Sequence, residues 1–195
     1  MKIASRERIR RAATNLFAEK GFAGTNTREI CARAKVTKPV LYYHFKSKEN
    51  LYRELLLEAC GGMLRELTLA SYRGGTAHQK LVDVLAADFA LTKRNPQLSA
   101  MLFGLVFAPQ KEAPSVDYVQ VGLDWLGLIE GILREGVRRG ELCCKPHEVA
   151  VAFLGVDMIY SISHMVRGEP DLDRRLARRM VQLLLGGCAR NSTDR

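Results

Sequence analysis

Residues 25–48 read TNTREICARAKVTKPVLYYHFKSK, and their pattern decides the fold. Asn26 followed three residues later by Glu29 is a capping-box start for a short helix. That helix turns Ile30, Cys31 and Ala34 inward, and Val36 plugs the turn that follows. Thr37 is a natural N-cap for a second helix, whose first turn tolerates Pro39 because the N–H groups there have no intrahelical partner. Leu41 and Phe45, four residues apart, form its buried side. Thr37, Lys38, Pro39, Tyr42, Tyr43 and His44 remain outside. A hydrophobic core needs none of these types, whereas a nucleic-acid duplex uses short donors and a cation on phosphates, and rings on base methyls and sugars.

The run TREICARAKVTKPVLYYHFKSKENLY resembles the DNA-binding signature of the TetR family of one-component repressors. The preceding RIRRAATNLFAEKGFAGTNT is similar to that family's first helix and its exit. The resemblance covers about the first quarter of the chain, in order. It departs at Lys35, where the family usually has glycine. That position often needs φ > 0, so either modest strain or a slightly different turn is expected. The resemblance implies a dimer that sets two recognition helices in successive major grooves of a near-palindromic operator, about 34 Å apart. Carried over by position, Thr27 and Arg28 approach the backbone, and Arg28 is within range of a base. Thr37, Lys38, Pro39, Tyr42, Tyr43 and His44 face the groove, and Lys48 anchors a phosphate, helped by the free N–H groups at a helix start. Tyr42 as packing against the first helix, and His44 as a solvated ring, are the alternatives.

Charge agrees with a DNA-binding head. The 195 residues carry a formal +9, of which +7 lies in residues 1–60. A basic end on a near-neutral body is the footprint of nucleic-acid binding. Hydrophobic residues at 47% and charged residues at 26% are those of a soluble globular chain. No run of about 18 apolar residues stands out, so no membrane span or membrane partner is expected. Charges break the N-terminal apolar pattern, against a signal peptide. Five cysteines without a CxxC pair fit a cytoplasmic location. Adjacent Cys143 and Cys144 read as incidental, with redox or metal sensing as the alternative.

Outward from the motif, apolar periodicity predicts an all-α chain of about nine helices, with no strand pattern. The first runs over 5–20, capped by Ser5 and stopped by Gly21, with Ile9, Ala12, Ala13, Leu16 and Phe17 on one face. Arg6, Arg10 and Arg11 lie away from that face, either near phosphates or solvated. Ser47 caps a fourth helix to about residue 72, expected to act as one rigid strut. A Thr76/Gln79 capping box opens the fifth, 77–94, which stops before Pro96. The sixth covers 97–108 and a loop follows to Pro114. The seventh runs from Ser115 to about 139, with a stripe of Val119, Leu123, Leu126, Glu130, Leu133 and Val137 and further apolar groups opposite. A helix apolar all round is buried, so the Glu130 carboxylate needs a partner. The eighth, 146–167, and the ninth, 171–187, precede a polar tail.

These elements divide into a DNA-binding domain, 1–48, and a ligand-binding and dimerisation domain, 49–195. The eighth helix has two opposed apolar faces. Either a partner chain or the chain's own core covers the second. The partner reading puts Val151, Leu154, Met158, Ile162, Met165, Leu176, Met180, Leu183 and Leu184 in a four-helix dimer interface. The family's small effector, among helices four to seven, would meet Met63, Leu67, Phe89, Met101, Phe103, Phe107 and Trp125, with Glu130 and Asp124 as polar anchors; plain core is the alternative for the apolar ones. Such an effector is apolar or amphipathic, with a cationic one meeting Glu130. No GxSxG, P-loop or HExxH motif occurs, and the four histidines lack metal spacing, so neither catalysis, a cofactor nor a metal is expected. The competing reading is a non-specific architectural DNA-binding protein, or an interaction module keeping the two-helix motif as scaffold.

Overall fold

The computed structural model describes residues 2–107, 114 and 118–186, without the side chains of 2, 3, 105–107, 118 and 119. Nine helices occur among them: α1 Lys2–Lys20, α2 Thr27–Ala34, α3 Lys38–Phe45, α4 Lys48–Ser71, α5 Ala77–Arg94, α6 Pro96–Phe107, α7 Tyr118–Arg138, α8 Pro146–Arg167 and α9 Arg174–Leu185. The Ser115 helix start, the loop before Pro114, the tail, and the side chains of Phe107 and Val119 lie outside the described residues.

Local chemistry places most helix starts. Asn26 and Glu29 form both bonds of the capping box. Thr76 and Gln79 do the same at the start of α5, and Ser47 accepts from the Asn50 N–H at the start of α4. Gly21, at φ 69°, ends α1. Ser5, however, is interior to α1, which begins at Lys2. The cap of α9 is Asp173, which accepts from the Leu176 N–H.

The chain forms two compact units. The first holds α1–α3, α4 as far as Gly62, and α6. Its core gathers Ile9, Leu16 and Phe17 of α1, Ile30 of α2, Leu41 and Phe45 of α3, Leu51 and Tyr52 of α4, and Met101 of α6. The boundary expected at residue 48 therefore differs from the packing: the first half of α4 and the whole of α6 group with the head, because their apolar residues complete its core.

The second unit holds the rest of α4 with α5, α7, α8 and α9. Leu67, Leu85, Phe89, Trp125, Ile129, Leu133, Phe153 and Met180 lie in its core. The inward face of α7 is Trp125, Ile129, Ile132 and Leu133. The stripe expected from the sequence faces inward only in part: Leu133 is buried and Leu126 and Glu130 are half-buried, but Leu123 is 53% and Val137 37% exposed. The buried face of α8 is Ala150, Phe153, Asp157 and Ser161. α8 is long and apolar enough to cross a membrane by length and composition, although no such run was expected. A carboxylate in the middle of its buried face marks it as a core helix.

Candidate DNA-reading head and effector site

The turn between α2 and α3 is a Schellman motif. The Lys35 N–H donates to the Ala32 carbonyl and the Val36 N–H to the Cys31 carbonyl at 3.0 Å. Lys35 itself sits in the left-handed region, φ 52° and ψ 53°. The lysine thus takes the glycine conformation and the turn keeps its shape. Arg8 reinforces it by donating from Nε to the Ala34 carbonyl at 3.1 Å. Thr37 has N-cap backbone angles but no side-chain capping bond, so its hydroxyl is not spent on the helix. Thr37, Lys38, Pro39, Tyr42 and Tyr43 are exposed together on α3, and Arg28 is exposed on α2 with Thr27 half-buried beside it. Tyr42 is 44% and Tyr43 69% exposed, which argues against packing as the main role of either.

Two residues of the expected set are placed otherwise. His44 is half-buried, with Nε2 2.9 Å from the Ser5 hydroxyl of α1. Lys48 donates from Nζ to the Phe22 and Thr25 carbonyls, both at 2.9 Å, and lies 4.0 Å over the Phe22 ring. Two of its three donors therefore hold the α1–α2 connection to α4 instead of pointing at a phosphate. Arg6 and Arg10 are likewise engaged with glutamates of α4: Arg6 with Glu54, and Arg10 with Glu54 at 3.3 Å and Glu58 at 2.7 Å. Thr25, not singled out from the sequence, is 1% exposed and donates to the Leu16 and Gly21 carbonyls, which fixes the entry to α2.

In the second unit, Met63, Leu67, Phe89 and Trp125 share one core. Met101 is buried in the first unit's core, and Phe103 on α6 is half-buried. Glu130 is not an isolated buried carboxylate. Arg134 bonds it at 2.6 Å and His147 Nδ1 lies 3.6 Å away, and the Arg134 hydrogen bond holds its carboxyl below the usual range. Asp124 is exposed and accepts from Gln120 at 2.7 Å.

The buried acids of this unit are others. Asp88 on α5 is 7% exposed and Asp157 on α8 is 4% exposed. They hydrogen-bond to each other, and burial pushes Asp88 up to about 6 and Asp157 well above the carboxylate range. Ser161, one turn beyond Asp157, is wholly buried. The sequence did carry a signal. Asp157 is the one Asp, Glu, Lys or Arg between Glu148 and Arg167, and it falls four residues from Phe153.

A family model described as bacterial regulatory proteins of the tetR family matches residues 9–55, the span from α1 into α4. The chain is also similar over nearly its whole length to solved members. A crystal structure of a tetR-family regulatory protein from Rhodococcus RHA1 is 25% identical with a TM-score of 0.78, covering 95% of this chain and 98% of that one. The chain belongs to the TetR family of transcriptional regulators. That family is non-enzymatic, and its head is the helix-turn-helix described above. Among curated TetR-type relatives, the transcriptional repressor KstR2 of Mycolicibacterium smegmatis is 23% identical over 97% of this chain and 93% of its own. The fold is shared with FadR of Bacillus subtilis, solved in complex with stearoyl-CoA, at 23% identity and a TM-score of 0.75 over 93% and 98% of the two chains.

On this TetR chain the outer side of α8 is apolar, and Leu183 near the end of α9 is exposed as well, whereas the rest of the exposed side of α9 is Arg174, Arg175, Arg178, Arg179 and Gln182. Val151 is 50%, Ile159 60%, Val166 77% and Leu183 78% exposed, flanked by half-buried Leu154, Met158, Ile162, Met165 and Leu184. Leu176 and Met180, expected at an interface, are 4% and 2% exposed and belong to the chain's own core.

Proposed function

We propose that this protein is a ligand-responsive repressor that acts in the cytoplasm as a homodimer on a palindromic operator and is released by a small apolar or amphipathic effector. The observation that carries the DNA half is the exposed row Thr37, Lys38, Pro39, Tyr42 and Tyr43 on a helix whose entry turn is fixed by backbone bonds. Such a row is positioned to read base edges, while Thr27 and Arg28 meet the backbone. His44 and Lys48 act from behind, holding α3 and the α1–α2 connection in place. The open apolar side of α8 supports dimerisation, since two heads are needed to span successive grooves. The stearoyl-CoA complex of a relative with this fold supports an effector with a substantial apolar part, held among Met63, Leu67, Phe89 and Trp125. Release follows from linkage: the effector must bind the operator-incompetent arrangement more tightly than the operator-bound one.

Selection of bound sequences from random DNA with the full-length protein tests the reading. A palindrome with half-sites about 10 base pairs apart is the expected product. In a gel-shift salt series on that site, about three phosphates per subunit give a log–log slope near −5. A slope near zero, or no enriched palindrome, overturns it.

A further inference from the structure

The second unit keeps an acceptor-rich cluster inside an apolar core. Asp88 on α5 and Asp157 on α8 face each other there. Asp157 Oδ1 and the Ser161 hydroxyl are buried and, among the described residues, have no hydrogen-bond partner. The other buried acid of α5, Asp83, shows how this fold ordinarily treats such a group: Arg174 of α9 reaches it and forms an ion pair. Neither Asp88 nor Asp157 forms an ion pair among the described residues. A buried carboxylate without a cation is unfavourable, and two together more so, because each disfavours the charge of the other.

One proton is shared within the hydrogen-bonded pair, which leaves the other carboxyl, Asp157 Oδ1 and the Ser161 hydroxyl facing no cation among the described residues, so what the cluster lacks is a charged donor. A protonated amine presents three N–H donors, and the cluster offers three side chains that accept: Asp88, Asp157 and Ser161. Phe153, one turn before Asp157 on the same face of α8, and Phe89, next to Asp88, supply apolar and aromatic surface of the kind that accompanies a desolvated ammonium. A carboxylate or phosphate would instead meet like charge. We infer that Asp88, Asp157 and Ser161 are the polar end of the effector site, and that the effector is an apolar molecule bearing a protonated amine. The inference rests on the reading of this unit as the effector-binding part of a repressor, and it separates this chain from any relative whose ligand carries an anionic head.

Three probes of equal chain length test it on the full-length protein: decylamine, decanol and decanoate, by titration calorimetry near neutral pH and by release of the selected operator. Decylamine is expected to bind at least tenfold more tightly than either of the others and to be the one that releases DNA. Asp157→Asn keeps the side-chain volume and should reduce that preference to threefold or less. Ser161→Ala, which removes an acceptor without touching charge, should weaken decylamine several-fold and leave decanol unchanged, so the test does not depend on one variant folding. Equal binding of the three probes overturns the inference, as does a preference that survives both substitutions. Release of operator by decanol or decanoate but not by decylamine overturns the amine assignment while leaving the repressor reading in place. Failure of all three to bind or to release overturns both.

Discussion

Lys35 carries a backbone cost that its side chain does not offset. At φ 52° and ψ 53° an L-residue other than glycine is disfavoured by roughly 1–2 kcal/mol, part of which Lys recovers because a glycine gains freedom in the unfolded chain. Lys35→Gly should stabilise the protein by about 1 kcal/mol, seen as a higher urea midpoint with an unchanged denaturant slope. A lower midpoint would mean that the side chain is doing something the backbone geometry does not reveal. The Asp88–Asp157 pair makes the opposite kind of contribution. Asp88 titrates at about 6 when folded against an ordinary 3.8, so between those values the folded chain holds a proton that the unfolded chain has released. Stability from this group is present below about pH 4 and is lost as pH rises through 6. The carboxyls of Glu130, Glu135 and Asp171 are held low by Arg134, Lys80 and Lys93, so their contributions are present at higher pH and are lost only on further acidification. Between pH 7 and 5 the buried pair therefore decides the sign, and the protein should gain on the order of 1 kcal/mol on acidification over that range. Thermal unfolding across it should show the rise in wild type and a flatter profile in Asp88→Asn.

At the scale of elements, what could be read from the sequence is what local spacing determines. Capping boxes at Asn26 and Thr76, the Ser47 cap and the Gly21 stop act within four residues, and each forms as its spacing implies. The inward face of α3, Leu41 and Phe45, was legible for the same reason. Faces of long helices that are apolar on several sides were not. On α7 two stripes compete, and only packing with the rest of the second unit selects Trp125 and Ile129 over Leu123 and Val137. Side chains whose partners are distant in sequence were equally hidden. Lys48 looks like a phosphate anchor until Phe22 and Thr25 supply carbonyls, and Asp157 looks like a lone polar interruption until Asp88 arrives from 69 residues earlier. α4 adds a case of its own: its continuous run contains Gly61–Gly62, where an added Cβ would meet nothing within 4 Å. Two glycines in a helix interior favour the unfolded chain, so the rigid strut expected from length and apolarity has a weak point at its middle.

Over the whole molecule, the proposed function needs two copies, and the exposed face of α8 is where a second copy would sit. Val151, Ile159 and Val166 lie exposed on one face of α8 with half-buried Leu154, Met158, Ile162 and Met165 between them, a continuous apolar strip and not isolated exposed side chains. In a two-fold interface the same patch meets itself, so one substitution enters the contact twice. Ile159→Glu would place two carboxylates in that seam, each losing water and facing the other. The wild-type chain is expected to sediment as a dimer, and Ile159→Glu should weaken self-association by at least tenfold while leaving helix content unchanged. Because Ile159 is 60% exposed within one chain, the substitution should cost the monomer little, which separates loss of pairing from loss of fold. Operator binding should then fall with dimer concentration: the variant should still touch a single half-site weakly, and its salt slope should drop toward half the wild-type value as the phosphates of only one head are neutralised. A variant that remains dimeric and binds operator as wild type would show that the open face of α8 serves something other than a second copy.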